Sequence, residues 1–173
     1  MKPLDFKVAE PKQYVVVFAR DIESVLGKVL LVLKDRPDYL KGRLNLIGGK
    51  IEPGEDPVEA ACRELKEETG LERLTEYDPM VATDDAEVVG MILGLDCDIY
   101  VVVVDVVGRQ ELKPREGETE PVAWYYWAEA KADPRLMPNL KVAIPLIKAG
   151  LKGWTIEDRN RSFGEKHTVN VTV

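Results

Sequence analysis

The chain has 173 residues, 45% of them hydrophobic and 32% charged. That length holds one compact domain with a real core and is short for two, and the mix is that of a soluble globular protein. A formal net charge of −7 excludes the basic surface that tracks along a nucleic-acid polymer or an anionic membrane.

The first seven residues, Met1 to Lys7, contain no apolar run, so no secretory signal is expected and the chain is expected in the cytoplasm. Tyr14 to Ala19 and Val29 to Leu33 are valine-rich apolar runs and predict strands. Leu44 to Ile47 predicts a short strand that runs into the glycine-rich loop Gly48-Gly49-Lys50-Ile51-Glu52-Pro53-Gly54. A helix follows. Asp56 is placed to cap it, Pro57 to open it, and Glu59 to close a capping box with Asp56. Val58, Ala61, Cys62 and Leu65 form its apolar stripe, and Gly70 suits the left-handed position that ends it. Cys62 on that stripe reads as a core residue rather than a nucleophile, and with Cys97 the only other cysteine no disulfide framework is suggested.

Thr75 to Thr83 and Val88 to Leu95 read as strands joined by a turn at Thr83 to Ala86. Asp98 to Val107 is apolar on both faces and predicts a central strand; it is too short and too interrupted by Asp105 to span a bilayer. Val122 to Trp127 predicts a further strand. Leu140 to Leu151 predicts a helix with Asn139 as its cap, Gly150 or Gly153 near its end, and Pro145 kinking it or marking a later start. The domain is expected over residues 1–153. Residues 154–173 are set apart as an extension, in which Thr168 to Val173 alternates as an edge strand or a dimer contact would.

The chemistry is concentrated in the first helix. Glu64, Glu67 and Glu68 stand at i, i+3 and i+4, so they project from one face. Three carboxylates there repel one another unless a cation sits among them, and hard oxygen donors favour Mg²⁺ or Mn²⁺. The bland reading is a solvated helix face with ordinary Glu59–Arg63 and Arg63–Glu67 pairs. The loop glycines, Glu55 and Gly70 weigh against it.

Together Gly49, Glu55, Arg63, Glu64, Leu65, Glu67, Glu68, Gly70 and Leu71 fill every fixed position of a pattern that resembles the Nudix hydrolase signature, Gx5Ex7REUxEExGU with U a bulky aliphatic residue. The resemblance implies an α/β/α sandwich with a mixed β-sheet. It implies divalent-metal-dependent hydrolysis of a nucleoside diphosphate linked to another group. By the same resemblance Glu67 and Glu68 are metal ligands and Glu64 is a ligand or the base. Gly49 lends its carbonyl, Arg63 orients the carboxylates, Glu55 is a structural or peripheral metal partner, and Lys50 either reaches for a phosphate or is an exposed structural lysine. A later acid is expected from Pro114 to Pro121, best matched by Glu118, with Glu116 and Glu120 as alternatives. The competing reading there is an acidic surface loop.

The segment Lys41 to Lys50 is similar to Nudix enzymes that clear oxidised purine triphosphates from the nucleotide pool. That likeness implies base reading by Asn45 and, in Met137-Pro138-Asn139-Leu140, by Asn139. An amide carries donor and acceptor together and so can discriminate a base edge. The plain alternatives are that Asn45 satisfies backbone groups and Asn139 caps its helix. Leu44 and Met137 stand where that branch has its tryptophan platform, and Arg36 to Glu55 also resembles small bacteriophage-encoded Nudix proteins. The expected partner is therefore a small nucleotide, with homodimerisation through the terminal segments an open alternative. The expected activity is a nucleotide pyrophosphohydrolase releasing a nucleoside monophosphate. The alternatives are an ADP-ribose or dinucleoside polyphosphate pyrophosphatase, and a nucleotide-binding module of this fold without catalysis.

Overall fold

The structure, a computed structural model, describes residues 11–24, 27–78, 80, 84–94, 96–158 and 170–172. In chain order the strands and helices are β1 (Lys12–Asp21), β2 (Lys28–Leu33), a short 3-10 turn (Asp38–Leu40), β3 (Leu44–Asn45), β4 (Ile47–Lys50), α1 (Pro57–Thr69), α2 (Leu74–Tyr77), β5 (Ala86–Leu93), β6 (Cys97–Val106), β7 (Val122–Tyr126), α3 (Trp127–Ala132), α4 (Leu140–Lys148), β8 (Trp154–Glu157) and β9 (Asn170–Thr172).

The main sheet runs β4-β1-β6-β5-β8-β9, and a smaller one runs β3-β2-β7. The main sheet is mixed: β1 lies parallel to β6 and antiparallel to β4, while β5 is antiparallel to β6 and parallel to β8. Alternation along β1 and β6 explains the layering. Val15, Val17, Val102 and Val104 face one core with Ala60, Ala61 and Leu65 of α1. Val16, Phe18, Val101 and Val103 face the other with Leu140, Ala143, Ile144 and Ile147 of α4. The two helices therefore cover opposite faces, giving an α/β/α sandwich. β6 sits between β1 and β5, as a strand apolar on both faces must.

Several expectations need correction. Thr75 to Thr83 does not begin as a strand: Leu74–Tyr77 is a one-turn helix. The buried Asp85 carboxylate accepts from the Thr75 amide at 2.6 Å, a partner ten residues away that holds the turn. Residues 79 and 81–83 of that stretch lie outside the described residues. β5 starts at Ala86, inside the expected turn, and ends at Leu93; residue 95 is not described. α4 stops at Lys148, three residues early, and carries Pro145 within it, with the Ala149 amide still bonding the Pro145 carbonyl.

Trp154–Glu157 forms a strand that the sequence reading did not identify. β8 hydrogen-bonds along β5 inside the main sheet, and β9 pairs antiparallel with it. Of the alternating stretch Thr168 to Val173, residues 168, 169 and 173 lie outside the described residues. Trp154 is 1% exposed, and Gly90 opposite it makes room: a Cβ there would lie 2.3 Å from the indole ring. Trp154→Ala should therefore cost about 3–5 kcal/mol, as for other buried large-to-small changes. Urea unfolding checks this; a loss under about 1 kcal/mol would mean that β8 is not part of the cooperative core.

Candidate active site

The sequence builds α1 locally, and the sheet then aims it. Asp56 accepts from the amides of Val58 (2.8 Å) and Glu59 (2.9 Å), and Glu59 returns a bond to the Asp56 amide at 2.9 Å. Pro57 opens the helix and Gly70, at φ 75°, closes it with its amide on the Lys66 carbonyl. Ala60, Ala61 and Leu65 are buried, with Val58 and Cys62 packed at the edge of the same core. Burial pushes the Cys62 thiol up, which keeps it protonated and unsuited to nucleophilic attack.

Leu65 thus faces the core, and its neighbour Glu64 points along β4. Gly49 pairs with Val15 in β1, and a Cβ at Gly49 would lie 2.2 Å from Glu64 Oε1. The absent side chain is what lets this carboxylate lie against the loop backbone. Lys50 follows, its side chain exposed. Its carbonyl accepts from Arg63 Nη2 at 3.0 Å. A depression of about 540 Å³ opens beside the loop, lined by Gln13 and Lys50 through Glu55.

Arg63 organises the acids around it. Its Nε and Nη2 donate to the two Glu55 oxygens at 2.7 and 3.0 Å, and its Nη1 donates to Glu64 Oε1 at 2.7 Å. The Glu67 carboxylate is 3.7 Å from the same nitrogen. Glu55 also accepts from the Glu52 amide at 2.9 Å. Arg63 first, and this amide second, hold Glu55 below the usual carboxylate range. Arg63 itself is driven further up, chiefly by Glu55.

Glu64 and Glu68 go the other way. Burial raises Glu64; Arg63 opposes, while Glu67 and Glu118 add to the rise. Burial pushes Glu68 up to about 7. Lys34 opposes that rise, and the fields of Glu64, Glu118 and Glu120 reinforce it. Glu68 Oε2 is buried and has no hydrogen-bond partner among the described residues. Buried carboxylate oxygens in that state are costly unless protonated or bound to a cation.

Among the described residues no three acidic, histidine or cysteine side chains converge as a ready-made ion cage; Arg63 holds Glu64, and Arg115 Nη1 holds Glu67 Oε1 at 2.9 Å. The donor set nevertheless fits a hard divalent cation. It offers an orphaned carboxylate oxygen, two carboxyls with raised proton affinity, and a glycine backbone against one of them.

The late loop joins this patch. The Lys113 amide bonds the Thr69 carbonyl at 2.7 Å, and the Arg115 amide bonds the Glu67 carbonyl at 2.8 Å. Glu118, exposed, acts on both Glu64 and Glu68. Glu116 is exposed on the turn. Glu120 is committed elsewhere, accepting from Lys34 Nζ and from the amides of Asp35 (2.7 Å) and Arg36 (3.1 Å). Arg115 and Lys34 were not singled out in the sequence. In the sequence the acids of that loop stand out, and Lys34 carries no local signal of its own.

Asn45 belongs to the smaller sheet, and Asn139 stands at the start of α4. Asn45 Oδ1 accepts from the Leu46 amide at 2.9 Å, the backbone use set beside base reading above. Leu44 bridges Leu136 in parallel, and the Met137 amide bonds the Leu44 carbonyl at 3.0 Å. This brings the Met137–Asn139 segment alongside β3. Asn139 is 8% exposed. Its side chain makes no cap bond, correcting the cap expectation, because the residue already has helical φ and ψ (−62° and −32°). Its Oδ1 is buried and without a partner among the described residues.

The sequence model of the NUDIX domain matches residues 11–147. The sandwich, the glycine loop and the acid-bearing helix are thus those of one class of protein, and the chain belongs to the Nudix family. Its fold is similar to that of the MutT protein of Bacillus halodurans, with a TM-score of 0.66 at 16% identity, covering 92% of this chain and 97% of that one. A Nudix-family hydrolase of Clostridium perfringens gives 0.58 at 24% identity, covering 80% and 97%. In sequence, the chain is 38% identical over 98 residues to a mouse ADP-sugar pyrophosphatase, spanning 53% of this chain and 41% of that protein. It is 40% identical over 70 residues to the CTP pyrophosphohydrolase of Escherichia coli, spanning 40% and 50%. The matched stretches cover half or less of those two relatives.

The raised Glu68 carboxyl makes the stability of metal-free protein fall with pH. Between the ordinary value of 4.5 and about 7, the folded chain holds a proton that the unfolded chain has released, so rising pH favours unfolding. The loss should be on the order of a few kcal/mol across that window. Glu68→Gln should flatten it. Urea titrations in a chelator at several pH values check this; an unchanged slope in the variant would show that Glu68 is not the group responsible.

Proposed function

We propose that this protein hydrolyses a phosphoric anhydride in a nucleotide, with Mg²⁺ or Mn²⁺, most readily an NTP or dNTP, and releases a nucleoside monophosphate. The observation that carries the proposal is the buried, unpartnered Glu68 oxygen within a cluster of acids beside Gly49. A diphosphate is itself anionic and would be repelled by that cluster alone.

Glu64, Glu67, Glu68, Glu118 and the Gly49 carbonyl would hold the ion. Bound there, it neutralises the diphosphate charge and makes water a better nucleophile near neutral pH. Arg63 keeps Glu64 and Glu55 in place without needing to touch substrate. Glu64, with its raised proton affinity, is suited to accept the proton that water gives up as it attacks, or to serve as a ligand. A new phosphorus–oxygen bond forms, and the bridging oxygen leaves with the other phosphate. Lys50, exposed beside the glycine loop, is placed for a phosphate.

Asn45 and Asn139 are assigned to the base. The buried Asn139 oxygen supports this, since a ligand donor would satisfy it. ADP-ribose or a related diphosphate is the second reading, favoured by the likeness to the mouse ADP-sugar pyrophosphatase. A panel of NTPs, dNTPs, oxidised dGTP, ADP-ribose and diadenosine tetraphosphate, with analysis of the phosphate products, separates the two. Preference for ADP-ribose over every triphosphate would overturn the first reading. Binding without turnover of any of them would favour a non-catalytic module.

Glu67→Gln and Glu68→Gln should each lower kcat on the order of a thousandfold or more while leaving the fold intact. Steady-state kinetics beside circular dichroism is the check, and wild-type rates in both variants would reject the assignment. Asn139→Ala should compress discrimination between bases by roughly ten- to a few hundredfold. Ratios of kcat/KM for two competing nucleotides test this; an equal loss for all bases would remove Asn139 from base recognition.

A further inference from the structure

Glu120 is the acid of the late loop that is least free to act as a ligand. Its side chain is 9% exposed and that of Lys34, its ion-pair partner, 15%. One oxygen accepts from Lys34 Nζ, and the other from the amides of Asp35 and Arg36. Burial works against its charge, yet these bonds outweigh burial and keep it below the usual carboxylate range. A buried ion pair is a weak source of stability, because desolvation offsets most of the attraction. What such a pair fixes well is geometry.

The geometry fixed here is that of the loop carrying Glu118. At one end the loop is fastened to α1, by Arg115 through its amide and guanidinium on Glu67. At the other end the β2–β7 ladder and the Leu33 amide on the Pro121 carbonyl (2.9 Å) bring the chain to the end of β2, and Glu120, 86 residues from Lys34 in sequence, extends that fastening by one residue into the loop. Between the fastenings the chain turns at Gly117 (φ 97°), and the Glu118 amide bonds the Arg115 carbonyl at 3.0 Å. Among the described residues the Glu118 side chain has no such fastening of its own. Its place, from which its charge is felt at Glu64 and Glu68, follows from the two ends. The same bond holds Lys34. An ammonium has three donors, and Glu120 is its one hydrogen-bond partner among the described residues.

We propose that Glu120 is a positioning residue of this site: by clasping Lys34 and the Asp35 and Arg36 amides it holds Glu118 over the carboxylates of α1 and so completes the divalent-cation site. This rests on the functional reading above, but it is tested on cation binding as well as on turnover.

The experiment measures Mn²⁺ affinity by electron paramagnetic resonance, beside kcat, KM and melting temperature. The proteins are wild type, Glu120→Ala, Glu120→Gln, Glu118→Gln and the Glu118→Gln/Glu120→Ala double variant. Glu120→Ala should weaken Mn²⁺ binding and lower kcat by about ten- to a hundredfold, the usual effect of losing a partner that orients a ligand. KM should change less. Glu120→Gln keeps an acceptor for the two amides but turns an NH2 donor toward Lys34 and so loses that bond, so it should fold and show a smaller loss. The double variant should bind Mn²⁺ no worse than Glu118→Gln, because Glu120 acts through Glu118. Unchanged Mn²⁺ affinity in folded Glu120→Ala or Glu120→Gln would overturn the proposal, as would fully additive losses in the double variant. Wild-type protein that binds Mn²⁺ but cleaves no diphosphate would instead reject the functional reading, and the Mn²⁺ comparison would still decide the role of Glu120.

Discussion

Everything in this structure turns on carboxylates on one helix face that burial, reinforced by like charge, makes costly to ionise. Glu64, Glu67 and Glu68 share one face of α1 by helical spacing, and Glu118, on a loop anchored at both ends, adds its field to Glu64 and Glu68. Arg63 relieves part of the strain by binding Glu55 and Glu64. It does not reach Glu68, which keeps one oxygen buried and unpaired. A protein built only for stability would place an apolar residue or a partner there. Retaining the unpaired acid makes sense where a cation enters.

The remainder of the fold serves to hold that patch still. β1 and β6 alternate valines to two cores, so α1 and α4 are pressed onto opposite faces of one sheet. α1 is packed through Ala60, Ala61 and Leu65, leaving the adjacent positions to carry acids. The same sheet carries the glycine loop through β4, so both halves of the site are mounted on β1. The smaller sheet carries the residues proposed to read the base. β3 carries Asn45, and the Leu44–Leu136 bridge brings the segment leading to Asn139 and α4 alongside it.

The parts legible in the sequence are those whose causes are local. The Asp56–Glu59 capping box, Pro57 and Gly70 define α1 within fifteen residues, and the acids follow from its period. β6 was legible because a central strand needs apolar residues on both faces. The parts missed have distant causes. α2 depends on Asp85, and β8 depends on a glycine, Gly90, that leaves space for Trp154. Asn139 looked like a cap, but the chain enters it from the Leu136 bridge already in helical conformation, and its amide is left for another use. The Lys34–Glu120 pair continues the β2–β7 ladder, a pairing of distant segments that no local pattern announces.

The central claim is that the acid patch is a divalent-cation site. The most direct test is a crystal of this protein soaked in Mn²⁺, with data collected near the manganese absorption edge. The account predicts an anomalous peak bonded to the free oxygen of Glu68 and to at least one of Glu64 and Glu67, at about 2.1–2.2 Å. A peak elsewhere, or no peak at Mn²⁺ concentrations that support turnover, would contradict it.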